Sequence, residues 1–393
     1  MPIRNIFAER QAEIAAWRRH LHEMPEILFD MVRTAEFVAS KLRSFGCDEV
    51  VTGIGRTGVV AVIRGRGTSS SRVIGLRADM DALPIQEETG LPWASKIPGA
   101  MHACGHDGHT AMLLGAAEYL AETRNFDGTV ALIFQPAEEV GGGGREMCED
   151  GMMERWAIQE VYAMHNAPGI PLGEFATRKG LFFASVDHFE AEIMGSGGHA
   201  ARPQRAIDPV VIAAQTVSAI QTIVSRNVGP MENAVVSTTS IESSSKAFNV
   251  IPQSVTIRGT IRCHSAAVRS QIKSRIETII TGTAQLLGGS ARVTLEEVYP
   301  VLVTSDEQTD FAEETGRRVS GMTSEAERLL GGEDFAFMLE QRPGAYVLLG
   351  AGDRITPHNP KYDFNDEIIP FGCSWWVELV ESRLPIQNGN ASV

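Results

Sequence analysis

The chain has 393 residues, 43% of them hydrophobic and 21% charged, and its 49 acidic against 35 basic side chains give a net charge of −14. That length exceeds one ordinary hydrophobic core, so two domains are expected. The acidic balance excludes the basic stripe of a nucleic-acid surface. Five scattered cysteines, Cys47, Cys104, Cys148, Cys263 and Cys373, form no disulfide framework and point to a reducing, cytoplasmic compartment.

Ile6, Phe7, Ile14, Trp17 and Leu21 recur at helical spacing among Arg and Glu. This predicts an amphipathic surface helix rather than a secretory signal. No apolar run approaches the roughly 20 residues that span a bilayer, so no membrane association is expected. A second helix is predicted over 34–45, ended by Gly46. Short apolar strands at 59–63 and 73–76 follow. The second of them runs into Asp79-Met80-Asp81, just past a strand's carboxyl end, where open α/β sheets build their sites. A helix over about 109–123, a strand over 129–134 ending in Gln135-Pro136-Ala137-Glu138-Glu139, and a strand over 161–164 that delivers His165 continue the alternation. Helices alternating with continuous apolar strands predict an α/β fold with a mainly parallel sheet.

Near residue 186 the pattern changes. Strands at 187–194, 234–241, 254–262 and 291–298 and helices at 209–226 and 266–287 give the order βαββαβ of a ferredoxin-like sandwich. The expected organisation is one domain of residues 1–185 plus 299–393, with 186–298 inserted as a second. The first resumes with a helix at 306–320, a strand at 346–349 and a helix near 369–382.

The chemistry concentrates in Met101-His102-Ala103-Cys104-Gly105-His106-Asp107-Gly108-His109. Imidazole, thiolate and carboxylate are ligands of divalent transition metals. Cys104 and His106, two apart on a glycine-containing loop, can converge on one ion. Glu138 and Glu139 stand together at a strand end, where neighbours point in opposite directions, so one can bind metal while the other faces substrate. His165 and His358 complete five ligand-type residues along the carboxyl edge, which suggests two ions sharing a bridging group. On residue types alone a cysteine nucleophile at Cys104, activated by a nearby histidine, stays open. The glycines at 141–144 lack the spacing of a phosphate-binding fingerprint, which excludes a nucleotide site.

Seven segments in order carry a resemblance: residues 77–84 (RADMDALP), 101–109, 135–139 (QPAEE), 164–166 (MHN), 197–203 (GGHAARP), 249–252 (NVIP) and 331–335 (GGEDF). With them the chain resembles, over about 14–382, the aminoacylase/carboxypeptidase family of metal-dependent amidohydrolases, in the branch of hippurate hydrolase and the indole-acetyl-amino-acid hydrolases. The resemblance implies two divalent metal ions per subunit (Mn, Zn, Co or Ni) held by Cys104, His106, Glu139, His165 and His358, with Cys104 the bridge. Glu138 would be the general base. The wider family has His-x-Asp at 79–81, so Asp79 is not taken as a ligand, and Asp81 is expected to orient a histidine. The inserted domain would be a lid and dimerisation module, giving a homodimer or tetramer. In it His199 would stabilise the oxyanion, from its own or the partner subunit, and Asn249 and Arg262 would grip the substrate, Arg262 by its planar fork on a carboxylate. Leu181, Phe182, Phe183 and Phe335 are candidates for an acyl pocket. The implied reaction splits an N-acyl amino acid into a carboxylic acid and a free amino acid. A dipeptidase or metallocarboxypeptidase on the same scaffold is the alternative, and a non-catalytic binding protein would have no use for Glu138.

Overall fold

The apolar positions at the N-terminus form two helices rather than one: Asn5–Glu9 and α1 (Gln11–Glu23), separated at Arg10. Ile14, Trp17 and Leu21 are buried, as the helical spacing predicts. The computed structural model describes residues 4–386; residues 1–3 and 387–393, the ends of the expected first domain, lie outside the described residues. After α1 come α2 (Val32–Ser44), β1 (Glu49–Ile54), β2 (Gly58–Arg64), β3 (Val73–Asp79), α3 (His106–Thr123), β4 (Thr129–Gln135), β5 (Glu160–Ala167) and β6 (Phe175–Thr177). The chain then builds β7 (Ser185–Met194), β8 (Gly198–His199), α4 (Pro209–Ile220), β9 (Ala234–Ser243), β10 (Val250–Ile251), β11 (Ser254–Cys263), α5 (Ala266–Leu286) and β12 (Ser290–Tyr299). It closes with α6 (Asp306–Ser320), β13 (Thr323–Glu325), β14 (Gly344–Gly350) and α7 (Ile369–Arg383).

The chain divides into two compact units. The first takes in the described residues up to Gly180, Val303–Glu327, and those from Asp334 on; the second takes in Leu181–Leu302 and Arg328–Glu333. The first holds an eight-stranded sheet in the order β1-β2-β4-β3-β5-β14-β6-β13. Its centre is parallel, β4 with β3, β3 with β5 and β5 with β14, whereas β1, β2 and β4 pair antiparallel. Every residue of β3 and β14 is buried, as a sheet covered on both faces requires. Helix α3 is buried on nearly all sides, and Trp375 and Trp376 of α7 are wholly buried, each removing up to ~250 Å² of aromatic side chain from water.

The second unit is a four-stranded antiparallel sheet, β9-β11-β7-β12, with a separate β8–β10 ribbon. Its own core joins Phe189, Ile193, Ile257 and Ile261 of the strands to Ile272, Ile276 and Ile280 of α5. The order β7-α4-β9-β11-α5-β12 is βαββαβ. Among the described residues no helix is long and apolar enough to cross a membrane.

Candidate metal centre

Four parallel strands, β4, β3, β5 and β14, lead to one edge of the first unit's sheet; His165 lies near the end of β5 itself, and the segments that follow β3, β4 and β14 carry the other candidate ligands. Gly105, between Cys104 and His106, has φ +96°, and a Cβ there would lie 2.2 Å from Asn166 Oδ1. Only glycine fits that approach. It lets the loop turn at once into α3, which starts at His106 and not near 109 as the sequence spacing suggests.

Cys104 Sγ lies 3.4 Å from His165 Nε2. The other nitrogen of His165, Nδ1, donates to the Asn166 carbonyl at 2.7 Å, which fixes the tautomer and leaves Nε2 as the ligand atom. His358 adopts a left-handed φ of +64°, its backbone N–H donates to Ala103 O at 2.8 Å, and its Nε2 lies 3.1 Å from Glu139 Oε1. His358 is the exposed member of the set, at 54%. Ligand atoms of Cys104, His106 and His165 lie within 4.8 Å of one another, as do those of Cys104, Glu139 and His358, and of His106, Glu138 and Glu139.

Glu138 and Glu139 are placed by a turn and not by strand alternation, because β4 ends at Gln135 and the flanking Ala137 and Val140 have φ of +51° and +69°. Asp81 holds that turn. Its Oδ1 accepts the Glu138 N–H at 3.0 Å, and its Oδ2 accepts the Glu139 N–H at 2.9 Å. The same carboxylate lies 3.3 Å from His106 Nδ1. One buried aspartate thus ties the two glutamates to the histidine.

Burial pushes the Cys104 thiol up, against the pull of His106 and His358, the opposite of the lowered pKa that activates a cysteine nucleophile. The His358 imidazole is pushed up to about 10 by its hydrogen bonds to Cys104 and Glu139. Both ring nitrogens of His106 are buried with no well-aligned hydrogen-bond partner, an arrangement that is costly for ordinary structural histidines. With the Cys104 thiol, the His165 and His358 imidazoles and the Glu138 and Glu139 carboxylates, His106 forms a donor set that fits divalent transition metals.

Sequence reasoning gave Arg77, Gln135 and Asp334 no role. Arg77, 1% exposed, donates through Nε to Gln135 at 2.9 Å, through NH1 to Asp79 at 2.8 Å and through NH2 to Asp334 at 3.0 Å. Asp334 also accepts the Gly144 N–H at 2.8 Å. A Cβ on the preceding Gly143 would sit 1.8 Å from Pro136 O, so the glycine run packs directly on the loop that carries the glutamates. The signal available in the sequence was a buried-type strand with an arginine in it.

His199, Asn249 and Arg262 belong to the second unit. His199 is exposed on the β8–β10 ribbon, paired with Val250, and its Nδ1 accepts the Ala201 N–H at 3.1 Å. The proton therefore sits on Nε2. Asn249 is also exposed and, with His199, lines a cavity of about 550 Å³. Arg262 is half-buried on β11, opposite Val186 and Val235. Among the described residues no hydrogen bond or ion pair holds its guanidinium, and burial pulls its pKa down. Phe182 and Phe335 are wholly buried, in core positions.

The model of peptidase family M20/M25/M40 matches residues 75–382. This chain belongs to that family. Within it, the chain is 42% identical to the hippurate hydrolase of Campylobacter jejuni over 372 residues, 94% of this chain and 96% of that one. It is 38% identical to the N-acetylcysteine deacetylase of Bacillus subtilis over 363 residues, 92% and 94% of the two chains. A solved dinuclear metal-binding M20 peptidase of Bacillus subtilis superposes with a TM-score of 0.82 at 34% identity, covering 96% of this chain and 99% of that one.

Proposed function

We propose that this M20 chain is a metal-dependent amidohydrolase that cleaves N-acyl amino acids of the hippurate, N-acetyl or aryl-acyl kind into a carboxylic acid and a free amino acid. The observation that carries the reading is the convergence of Cys104, His106, Glu139, His165 and His358 beside Glu138, on loops braced by Asp81. Those five residues would hold two divalent ions, drawn from Mn, Zn, Co or Ni. Bound there, such a pair supplies a water of lowered pKa and a Lewis acid for the amide oxygen.

The rest is done by the chain. The Glu138 carboxylate takes a proton from the water as its oxygen attacks the amide carbon, then returns it to the nitrogen as the C–N bond breaks. His199 donates its Nε2–H to the developing oxyanion, from its own subunit or the partner. Asn249 and Arg262 hold the substrate, Arg262 by two parallel hydrogen bonds to the carboxylate. In this reading residues 1–185 and 299–393 are the catalytic domain. Residues 186–298 are a lid through which a cytoplasmic homodimer or tetramer assembles.

The test is hydrolysis of hippurate, N-acetyl amino acids, indole-acetyl conjugates and free dipeptides by chelated protein and by protein reloaded with each metal. Metal-dependent release of amino acid from the N-blocked substrates supports the proposal. Preference for free-amine dipeptides would move the protein to the peptidase reading, which the family's name favours. Turnover that survives chelation would overturn both.

A further inference from the structure

His109 ends the nine-residue cluster, and no step above uses it. It is buried, 2% exposed, and with Asp79 and His106 it forms a group whose ligand atoms lie within 4.8 Å of one another. Taken by spacing alone, that group is another metal site. The hydrogen bonds say otherwise. His109 Nδ1 lies 2.6 Å from Asp79 Oδ1. Its Nε2 lies 2.7 Å from Asn166 Oδ1, an acceptor, and 2.9 Å from the Asn166 backbone nitrogen. With Nδ1 against the Asp79 carboxylate and Nε2 against Asn166, both ring nitrogens are engaged within the protein, so the ring has no free lone pair for a cation.

Both carboxylate oxygens of Asp79 are likewise engaged. Oδ1 takes His109, Oδ2 takes Arg77 NH1 at 2.8 Å, and the backbone carbonyl takes the Thr110 hydroxyl at 2.9 Å. The pair is wedged between candidate ligands: the His109 ring lies 4.4 Å from that of His165 and 5.5 Å from that of His106, centroid to centroid. Asn166 continues the strut to the Tyr362 hydroxyl at 2.8 Å, and its amide oxygen packs on Gly105 between Cys104 and His106.

We infer that Asp79 and His109 form one positioning unit, braced by Arg77 and Asn166, that binds no ion itself and sets the rings of His106 and His165 towards the metal pair. This rests on the reading of His106 and His165 as ligands. It differs from a third ligand set in what each substitution does. Hydrogen-bond partners of metal ligands alter affinity by about 10–100-fold when removed, whereas loss of a ligand removes an ion.

The experiment is titration of the metal-free protein with cobalt, following visible absorption, bound cobalt after gel filtration and circular dichroism. Wild-type uptake with a thiolate-to-cobalt band tests the underlying site; no uptake brings down that reading and this inference with it. Given uptake, His109→Phe, which keeps a ring but neither hydrogen bond, is expected to lower cobalt affinity about 10–100-fold and to shift the bands at unchanged stoichiometry. His109→Asn, whose amide can still donate towards Asp79, is expected to recover part of the loss. The double variant Asp79→Asn/His109→Phe is expected to be no worse than the poorer single variant, as one unit requires. Wild-type affinity and spectrum in His109→Phe, or loss of a whole cobalt equivalent in Asp79→Asn, would overturn the inference while leaving the metal site standing. Should the Phe variant fail to fold, Asp79→Asn alone carries the same comparison.

Discussion

The two units hold their candidate residues in opposite ways. In the first, Asp81, His106 and Glu138 are buried, and each is tied by hydrogen bond or close carboxylate contact to a neighbour on another segment. In the second, His199 is exposed on a two-residue ribbon preceded by Gly195 and Gly197, Asn249 is exposed just before the ribbon's other strand, and no hydrogen bond or ion pair holds Arg262 among the described residues. The difference follows from what each set must meet. Groups that face one another as like charges, or as ligands of one ion, hold their geometry only if the backbone is fixed beforehand, since a displacement of 1 Å is expensive. Groups that wait for a substrate must keep their donors open, so their geometry is completed by what they bind. Substitutions in the first unit should therefore lower kcat and metal affinity, and those in the second should raise KM.

The sharpest break of this comparison is Glu138→Gln. The amide is isosteric and cannot carry the proton, so kcat is expected to fall by about 10²–10⁴-fold with metal content intact; full activity would remove Glu138 from the mechanism. Next comes Asp81→Asn. It keeps one acceptor for the two backbone N–H groups but loses the charge beside His106, and a fall of about 10–100-fold in metal affinity, read by chelator competition, is expected. Unchanged affinity would mean that the turn at 137–140 supports itself.

Much of the first unit's site was legible because its residue types are rare together: three histidines, a cysteine and an aspartate in nine positions, then paired glutamates after an apolar strand. What holds them was not legible. Arg77 meets Asp334 257 positions away, and no local period reports such a contact. The turn at Glu138 looked like strand alternation, because a left-handed φ at Ala137 and Val140 leaves no trace in residues that seldom adopt it. His109 received no role from the sequence, since composition cannot tell an imidazole that binds an ion from one that hydrogen-bonds only to protein groups. Strand β1 was missed because Thr52 and Gly53 dilute its apolar pattern, and it is an edge strand with only β2 beside it.

In the second unit the comparison is sharpened by Arg262→Lys. Lysine keeps the charge and loses the fork, so KM for N-acyl amino acids is expected to rise about tenfold, the worth of one charge-assisted hydrogen bond, with kcat and Tm nearly unchanged. A fall in kcat at constant KM would instead put Arg262 on the side of the reacting atoms.

A comparison of stability instead of activity probes how far the bracing of the first unit extends. His22 of α1 is buried with Nδ1 2.8 Å from Asp107 Oδ2 and Nε2 3.4 Å from Glu87, so it anchors the N-terminal helix to the residue after His106. Burial alone would depress its pKa, but Asp107, helped by Glu87, outweighs burial and raises it to about 9 from 6.5. A pKa raised on folding stabilises fully below about 6.5 and is lost as pH climbs through about 9, a span worth about 3 kcal/mol. Asp107 itself is held low by His22 despite its burial, so its share persists until strongly acid pH. Metal binding also depends on pH, and for that reason the useful quantity is the difference between wild type and His22→Gln in the same buffers. Thermal unfolding should show wild type the more stable at pH 6, with the gap closing by pH 10. Parallel curves across that range would mean that His22 stays neutral and that the bracing stops at Asp107.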